Sequence, residues 1–171
     1  VTGVQTCALP ICTLAFVPSR RGVEAVSMLA RSALAETDPE LEDRVAAYRG
    51  GYLAEERRAL ESDLRSGRLL GVAATNALEL GIDISGLDAV ITAGWPGLRA
   101  SLWQQWGRAG RDGQEALGLL VAREDLLDHY VLAHPEVIFD APLESVVLDP
   151  DNRFVLGPHL TAAAAEFPIE E

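Results

Sequence analysis

Residues 69–84 read Leu69-Leu70-Gly71-Val72-Ala73-Ala74-Thr75-Asn76-Ala77-Leu78-Glu79-Leu80-Gly81-Ile82-Asp83-Ile84. The apolar run Leu69–Ala74 has no polar alternation, so it predicts a strand buried on both faces, as in a parallel sheet. Thr75 fits a helix N-cap, Asn76–Leu80 a short helix, and Gly81 a left-handed C-cap. A strand that feeds a helix N-terminus leaves free N–H groups at Thr75–Ala77, and these attract a phosphate. Asp83 follows the cap, where a carboxylate can accept from ribose hydroxyls. An ordinary strand–turn–helix would read the same way.

Working outward, strands and helices alternate. Strands are expected at about 13–17, 69–74, 88–93 and 117–122. Helices are expected at 20–36, 53–66, 76–80, 99–107 and 123–133. This rhythm predicts an α/β fold with a parallel sheet flanked by helices. Val90–Ala93 and Ala116–Ala122 are apolar enough for central strands. There is no internal repeat and no apolar stretch long enough to span a membrane. The length suits one well-buried domain and little more.

Gln104–Arg111 reads Gln-Gln-Trp-Gly-Arg-Ala-Gly-Arg. Gln104, Arg108 and Arg111 are spaced i, i+4, i+7, so a helix reaching about Gly107 would aim all three one way. Trp103 and Trp106 fall on the other side, as core anchors. Arginine suits phosphate, because its planar fork binds oxygens bidentately and keeps its charge. Two arginines at a helix end are also common as a solvated face. Gly107 and Gly110 argue for a backbone that ends its helix and approaches something closely.

The segment Gln-x-x-Gly-Arg-x-Gly-Arg resembles motif VI of superfamily 2 DEAD/DEAH-box helicases, in which the two arginines are arginine fingers. Ala-Thr-x-x-x-Glu-x-Gly-Ile-Asp at 74–83 resembles motif V. Thr13–Val17 followed by Pro18-Ser19-Arg20-Arg21 resembles motif IV, and Tyr48-Arg49-Gly50-Gly51-Tyr52 resembles the His-x-Gly segment between motifs IV and V. The resemblance implies the RecA-like C-terminal lobe of a helicase. It implies catalytic roles for Arg108, Arg111 and Gln104, and nucleotide contacts from Gly81, Asp83, Arg108 and Arg111. It assigns nucleic-acid contacts to Ser19, Arg20, Gly51, Thr75 and Asn76. Ser19, Thr75, Asp83, Arg108 and Arg111 are expected at or near one edge of the sheet, since ligands of open α/β sheets bind at the carboxyl ends of strands.

Past His134 the α/β rhythm stops, and Pro135, Pro142, Pro150, Pro158 and Pro168 punctuate the chain. The pattern from Leu148 through Pro168, ending in a short Ala-rich helix, resembles the segment after the second lobe in YprA/MrfA-like and SftH-like bacterial DNA helicases. Residues 13–133 are accordingly read as the lobe, and 134–171 as a linker and the start of a further domain. Residues 1–12 match nothing in the pattern. Val-Gln-Thr-Cys-Ala-Leu-Pro-Ile resembles an adapter-derived stretch, so this segment is read as non-native, the alternative being a genuine strand. Cys7 and Cys12 are assigned neither a metal nor a disulfide. The absence of further cysteines fits a reducing cytoplasm.

No Gly-x-x-x-x-Gly-Lys-Ser/Thr loop and no Asp-Glu-x-His box occurs. In the resembled family, ATP and Mg²⁺ sit between two lobes, and the N-terminal lobe holds them. The resemblance therefore implies a part of an ATPase, inactive alone, with that lobe and DNA as partners. The formal net charge of −12 opposes strong DNA binding by the isolated lobe. His129, His134 and His159 do not read as catalytic. Trp95-Pro96-Gly97 could offer an aromatic to a base or simply pack. An RNA helicase lobe and a non-catalytic interaction module with an acidic surface are the alternatives.

Overall fold

The computed structural model describes residues 11–48, 52–76, 86–110, 115–145 and 149–167. Five parallel strands form one sheet: β1 (Thr13–Phe16), β2 (Val45–Tyr48), β3 (Gly71–Ala74), β4 (Ala89–Ala93) and β5 (Leu117–Val121). Their order is β2-β3-β1-β4-β5. The first strand in sequence is thus central. Phe16 is in register with Ala74 on one side and Thr92 on the other, and Tyr48 with Ala74.

Strand periodicity divides the core. Leu14, Phe16, Val72, Ala74, Val90 and Tyr48 share one cluster with Leu64 of helix α2 (Ala54–Arg65). The opposite side carries small residues, Ala47, Ala73 and Ala93, under Val17 and Val23. Val23 belongs to helix α1 (Arg20–Thr37), which lies on that face. Val72, Ala73 and Ala74 are buried in succession, as the two-sided reading of this run requires.

Helix α3 (Arg99–Trp106) follows β4, α4 (Leu126–Ala133) follows β5, and the short α5 (Glu136–Phe139) follows α4. Helix α6 (Arg153–Glu166) buries none of its residues and contains Pro158. Among the described residues, no helix is long and apolar enough to cross a membrane.

Two expectations change. β2 is a strand that the sequence reading did not assign. It is four residues long with two alanines, and only its ladder to β3 makes it a strand. Among the described residues, β5 is an edge strand rather than a central one, paired with β4 alone. Its Leu117, Leu119 and Val121 are exposed on one side. On the other side, Gly118 leaves room for the Trp106 ring, which a Cβ would meet at 3.0 Å. Hydrophobicity reports burial in some assembly, and does not say which strand is the edge. Of the short helix expected at 76–80, only Asn76 is among the described residues.

Candidate nucleotide and nucleic-acid site

The carboxyl ends of β1 and β3 bring several motif residues together. Val17 N–H donates to the Ala74 carbonyl at 2.8 Å, so the two strands leave the sheet side by side. Ser19 then caps α1: its hydroxyl accepts from Gly22 N–H at 3.0 Å. Arg20 opens the helix and is exposed, while Thr75 and Asn76 leave the neighbouring strand. The N-terminus of an 18-residue helix, an exposed arginine and Thr75 therefore share one edge. Gly51 lies outside the described residues, although Tyr48, just before its segment, ends at the same edge.

Arg108 lies elsewhere. The α3 segment stays helical to Gly107, whose backbone is still αR. Beyond it, Leu87 and Ala109 form an isolated parallel bridge. Leu87 N–H donates to the Arg108 carbonyl at 3.2 Å, and Gly110 N–H donates to the Leu87 carbonyl at 2.8 Å. Leu87 precedes β4, so Arg108 stands at the amino end of the sheet. Thr92 is level with Phe16 and Ala74 and lies five residues on from Leu87. At about 3.3 Å per residue, the two ends are roughly 17 Å apart. The expectation of a single edge is therefore corrected for Arg108. The crossover helix α3 runs back against its strand, and its last residues return to where the strand began.

Gly110 has φ +85°, which fits a glycine that turns the chain after the helix. Gln104 is exposed and Arg108 is half-buried. Arg111, Gly81 and Asp83 lie outside the described residues. Trp106 packs against two apolar clusters, but Trp103 is 41 % exposed and meets Trp106 and Phe139 edge-on at 5.8 and 5.9 Å. The residues that seat α3 are Leu102 and Gln105, three apart and both fully buried.

Gln105 went unnoticed in the sequence. Thr92 on β4 donates to its Oε1 at 2.9 Å, in a site closed to solvent. A buried carboxamide needs such partners, and this one fixes the rotation of α3 on β4. Asp128 went unnoticed as well. It is 1 % exposed and accepts from Trp95 N–H at 3.0 Å, from Arg123 N–H at 2.8 Å and from the Arg123 guanidinium at 3.3 Å. Burial alone would raise its carboxyl. The Arg123 side chain, the two backbone N–H groups and the nearby charge outweigh burial and hold the group below the ordinary carboxylate range. The detectable signal was Asp125, which caps α4 through Leu127 and Asp128 N–H and thereby turns Asp128 inward.

Trp95 is buried against Leu102, Val131 and Ile138, so of the two readings of this loop the structure shows packing. Arg123 crosses directly over Gly94, which has φ +82°. A Cβ there would run into Arg123 Nε and lie 2.8 Å from its Cδ. Gly94→Ala is expected to displace Arg123 from Asp128 and lower the thermal midpoint by several degrees. An unchanged midpoint in scanning calorimetry would show that the loop relaxes freely.

Among the described residues, no group of three His, Cys, Asp or Glu side chains could hold a metal ion. Cys12 belongs to the sheet through its backbone: its N–H donates to Asp88 Oδ2 at 2.7 Å, and its carbonyl accepts from Asp88 and Ala89 N–H.

Residues 8–113 match the model of the helicase conserved C-terminal domain. The chain belongs to this family. YprA of Bacillus subtilis, an uncharacterised ATP-dependent helicase, is 48 % identical over 125 residues, which are 73 % of this chain and 17 % of that protein. The ATP-dependent helicase hrq1 of Schizosaccharomyces pombe is 41 % identical over 158 residues, 92 % of this chain and 15 % of that one. The crystal structure of the helicase MrfA bound to DNA and AMPPNP superposes with a TM-score of 0.83 at 41 % identity, covering 92 % of this chain and 22 % of that one. The helicase C-terminal domain described here thus spans about a sixth of the length of the curated relatives it matches. Its sheet and flanking helices are those of a RecA-like helicase lobe.

Proposed function

We propose that this chain is the second RecA-like lobe of an ATP-dependent DNA helicase or translocase, moving 3′→5′ in DNA repair in the cytoplasm. The observation that carries this reading is the segment Gln104–Gly110, pinned to Leu87 at the amino edge of the sheet in a chain of the helicase C-terminal family. Arg108 is partly open there, on a backbone tied by two hydrogen bonds, which suits a guanidinium that must meet phosphate without reorganising. Arg108 and Arg111 act as arginine fingers together with Gln104, and Gly81 and Asp83 contribute to nucleotide binding. Ser19, Arg20, Gly51, Thr75 and Asn76 contact the nucleic-acid backbone, the described Ser19, Arg20, Thr75 and Asn76 from the opposite edge. ATP with Mg²⁺, bound between this lobe and the N-terminal lobe of the parent chain, would supply the phosphoryl group transferred to water. DNA is favoured as the track by the DNA-bound MrfA structure.

The purified 171-residue chain is expected to show no Mg²⁺-dependent ATP turnover above background, because this reading places the groups that hold Mg²⁺ and the β,γ-phosphates in the other lobe. The full-length ATPase should turn over ATP and be stimulated by single-stranded DNA. Hydrolysis by the isolated chain would overturn the division of labour between lobes, and a full-length protein indifferent to DNA would overturn the helicase reading.

A further inference from the structure

Helix α3 has no N-cap of its own. Leu98 stands at the cap position and offers no side-chain hydrogen bond. The first N–H groups of a helix need acceptors, and here Glu144, 45 residues further on, provides them. Its Oε1 accepts from Arg99 N–H at 2.7 Å and its Oε2 from Ala100 N–H at 3.2 Å. Arg99 Nε lies 3.3 Å from Oε1 as an ion pair, and Arg99 Nη1 donates to the Val137 carbonyl at 3.4 Å. The N–H of Arg99 first, then those of Glu144 itself and Ala100 and the Arg99 charge, hold the Glu144 carboxyl below the ordinary range against the cost of desolvation.

We propose that Glu144 is a positioning residue: it caps α3 from the segment after α5, and so ties the chain downstream of the lobe to the helix that leads into Arg108. The helix is short and stiff. It starts beside the carboxyl edge, where β4 ends, and finishes at the amino edge, where Arg108 and Ala109 meet Leu87. Eight residues at about 1.5 Å each make a rod of roughly 12 Å between the two edges. Asp128 holds Trp95 N–H just ahead of the helix, and Gln105 locks its middle to Thr92. A shift of the segment at Glu144 therefore reaches α3 at the end that Glu144 caps. When the following segment moves, the setting of Arg108 moves with it. As a control on ATP turnover this rests on the helicase reading above; as a mechanical link it does not.

Two measurements separate these. In the 171-residue chain, Glu144→Gln leaves one oxygen to serve two donors. Backbone amide exchange should accelerate at least tenfold from Leu102 through Arg108, relative to the amides of β1 and β3. Asp140→Asn, a one-charge control on the same segment, should leave α3 unchanged. Acceleration confined to Arg99 and Ala100, or spread equally over β1 and β3, would overturn the link. In the full-length ATPase with oligo-dT, Glu144→Gln should lower kcat at least fivefold while changing KM for ATP less than twofold, and Glu144→Asp, which keeps the carboxylate, should recover part of the loss. A loss carried by KM alone, or unchanged kcat, would overturn the positioning role. A wild type that DNA does not stimulate would sink the helicase reading and the control of turnover together, leaving the exchange result to decide the link.

Discussion

Replacing Arg108 or Arg111 by alanine in the full-length ATPase is expected to lower kcat by about 10³-fold or more while raising KM for ATP only slightly. Arginine fingers act on charge that develops during phosphoryl transfer, and their loss is worth on the order of 10³–10⁵ in rate. The setting of Arg108 favours such a role. Its carbonyl and the following Gly110 N–H are bound to Leu87, so the side chain is presented from a fixed base. Lysine should rescue poorly at either position, since a point charge cannot reproduce a planar fork. Thr75→Ala, at the other edge, should weaken DNA binding or coupling and leave nucleotide affinity nearly intact. Steady-state kinetics with and without DNA decide between the two edges. Near-wild-type turnover in both arginine variants would make the pair structural, and the functional proposal would fall.

Asp128→Ala is expected to destabilise the 171-residue chain by about 3 kcal/mol, read from urea unfolding. Removing one partner of a buried ion pair commonly costs about 3–5 kcal/mol. Arg123 is half-exposed and can regain water, which argues for the lower end. The Trp95 N–H would be left in a buried place without its acceptor. The effect should depend on acid. The folded carboxyl titrates below its unfolded value of about 3.9, so its contribution is present above that pH and is lost as pH falls through the folded value. The gap between wild type and Asp128→Asn should thus hold steady from about pH 7 to pH 5 and close only below about pH 4. A gap already absent at pH 5 would show that the ionised carboxylate contributes little.

Fold class and family are legible in the amino-acid sequence alone. Runs such as Leu69–Ala74 and Thr13–Val17 are too uniformly apolar for a solvated sheet face, and the helices between them force parallel pairing. The motif residues are local patterns, and several of those among the described residues take the local structure that their spacing predicts. Ser19 caps a helix, α3 runs to Trp106 with Gly107 as its C-cap, and Gly110 takes the left-handed turn.

Features that depend on contacts distant in the chain emerge only on folding. β2 exists because β3 supplies its ladder, and β5 is an edge because no described residue pairs beyond it. Whether two motifs share an edge depends on the direction of the connecting helix. Strand order and helix return therefore put Thr75 and Arg108 at opposite ends of the sheet, although the sequence places both at or near one edge. Burial of polar groups is equally non-local. Gln105, Asp128 and Glu144 look like surface residues of amphipathic or loop segments. Each becomes a structural fixture only where a Thr92 hydroxyl, a Trp95 N–H or the bare N-terminus of α3 is brought against it. A polar side chain leaves water only when the fold has an unpaired partner waiting, and no periodicity in the sequence records that.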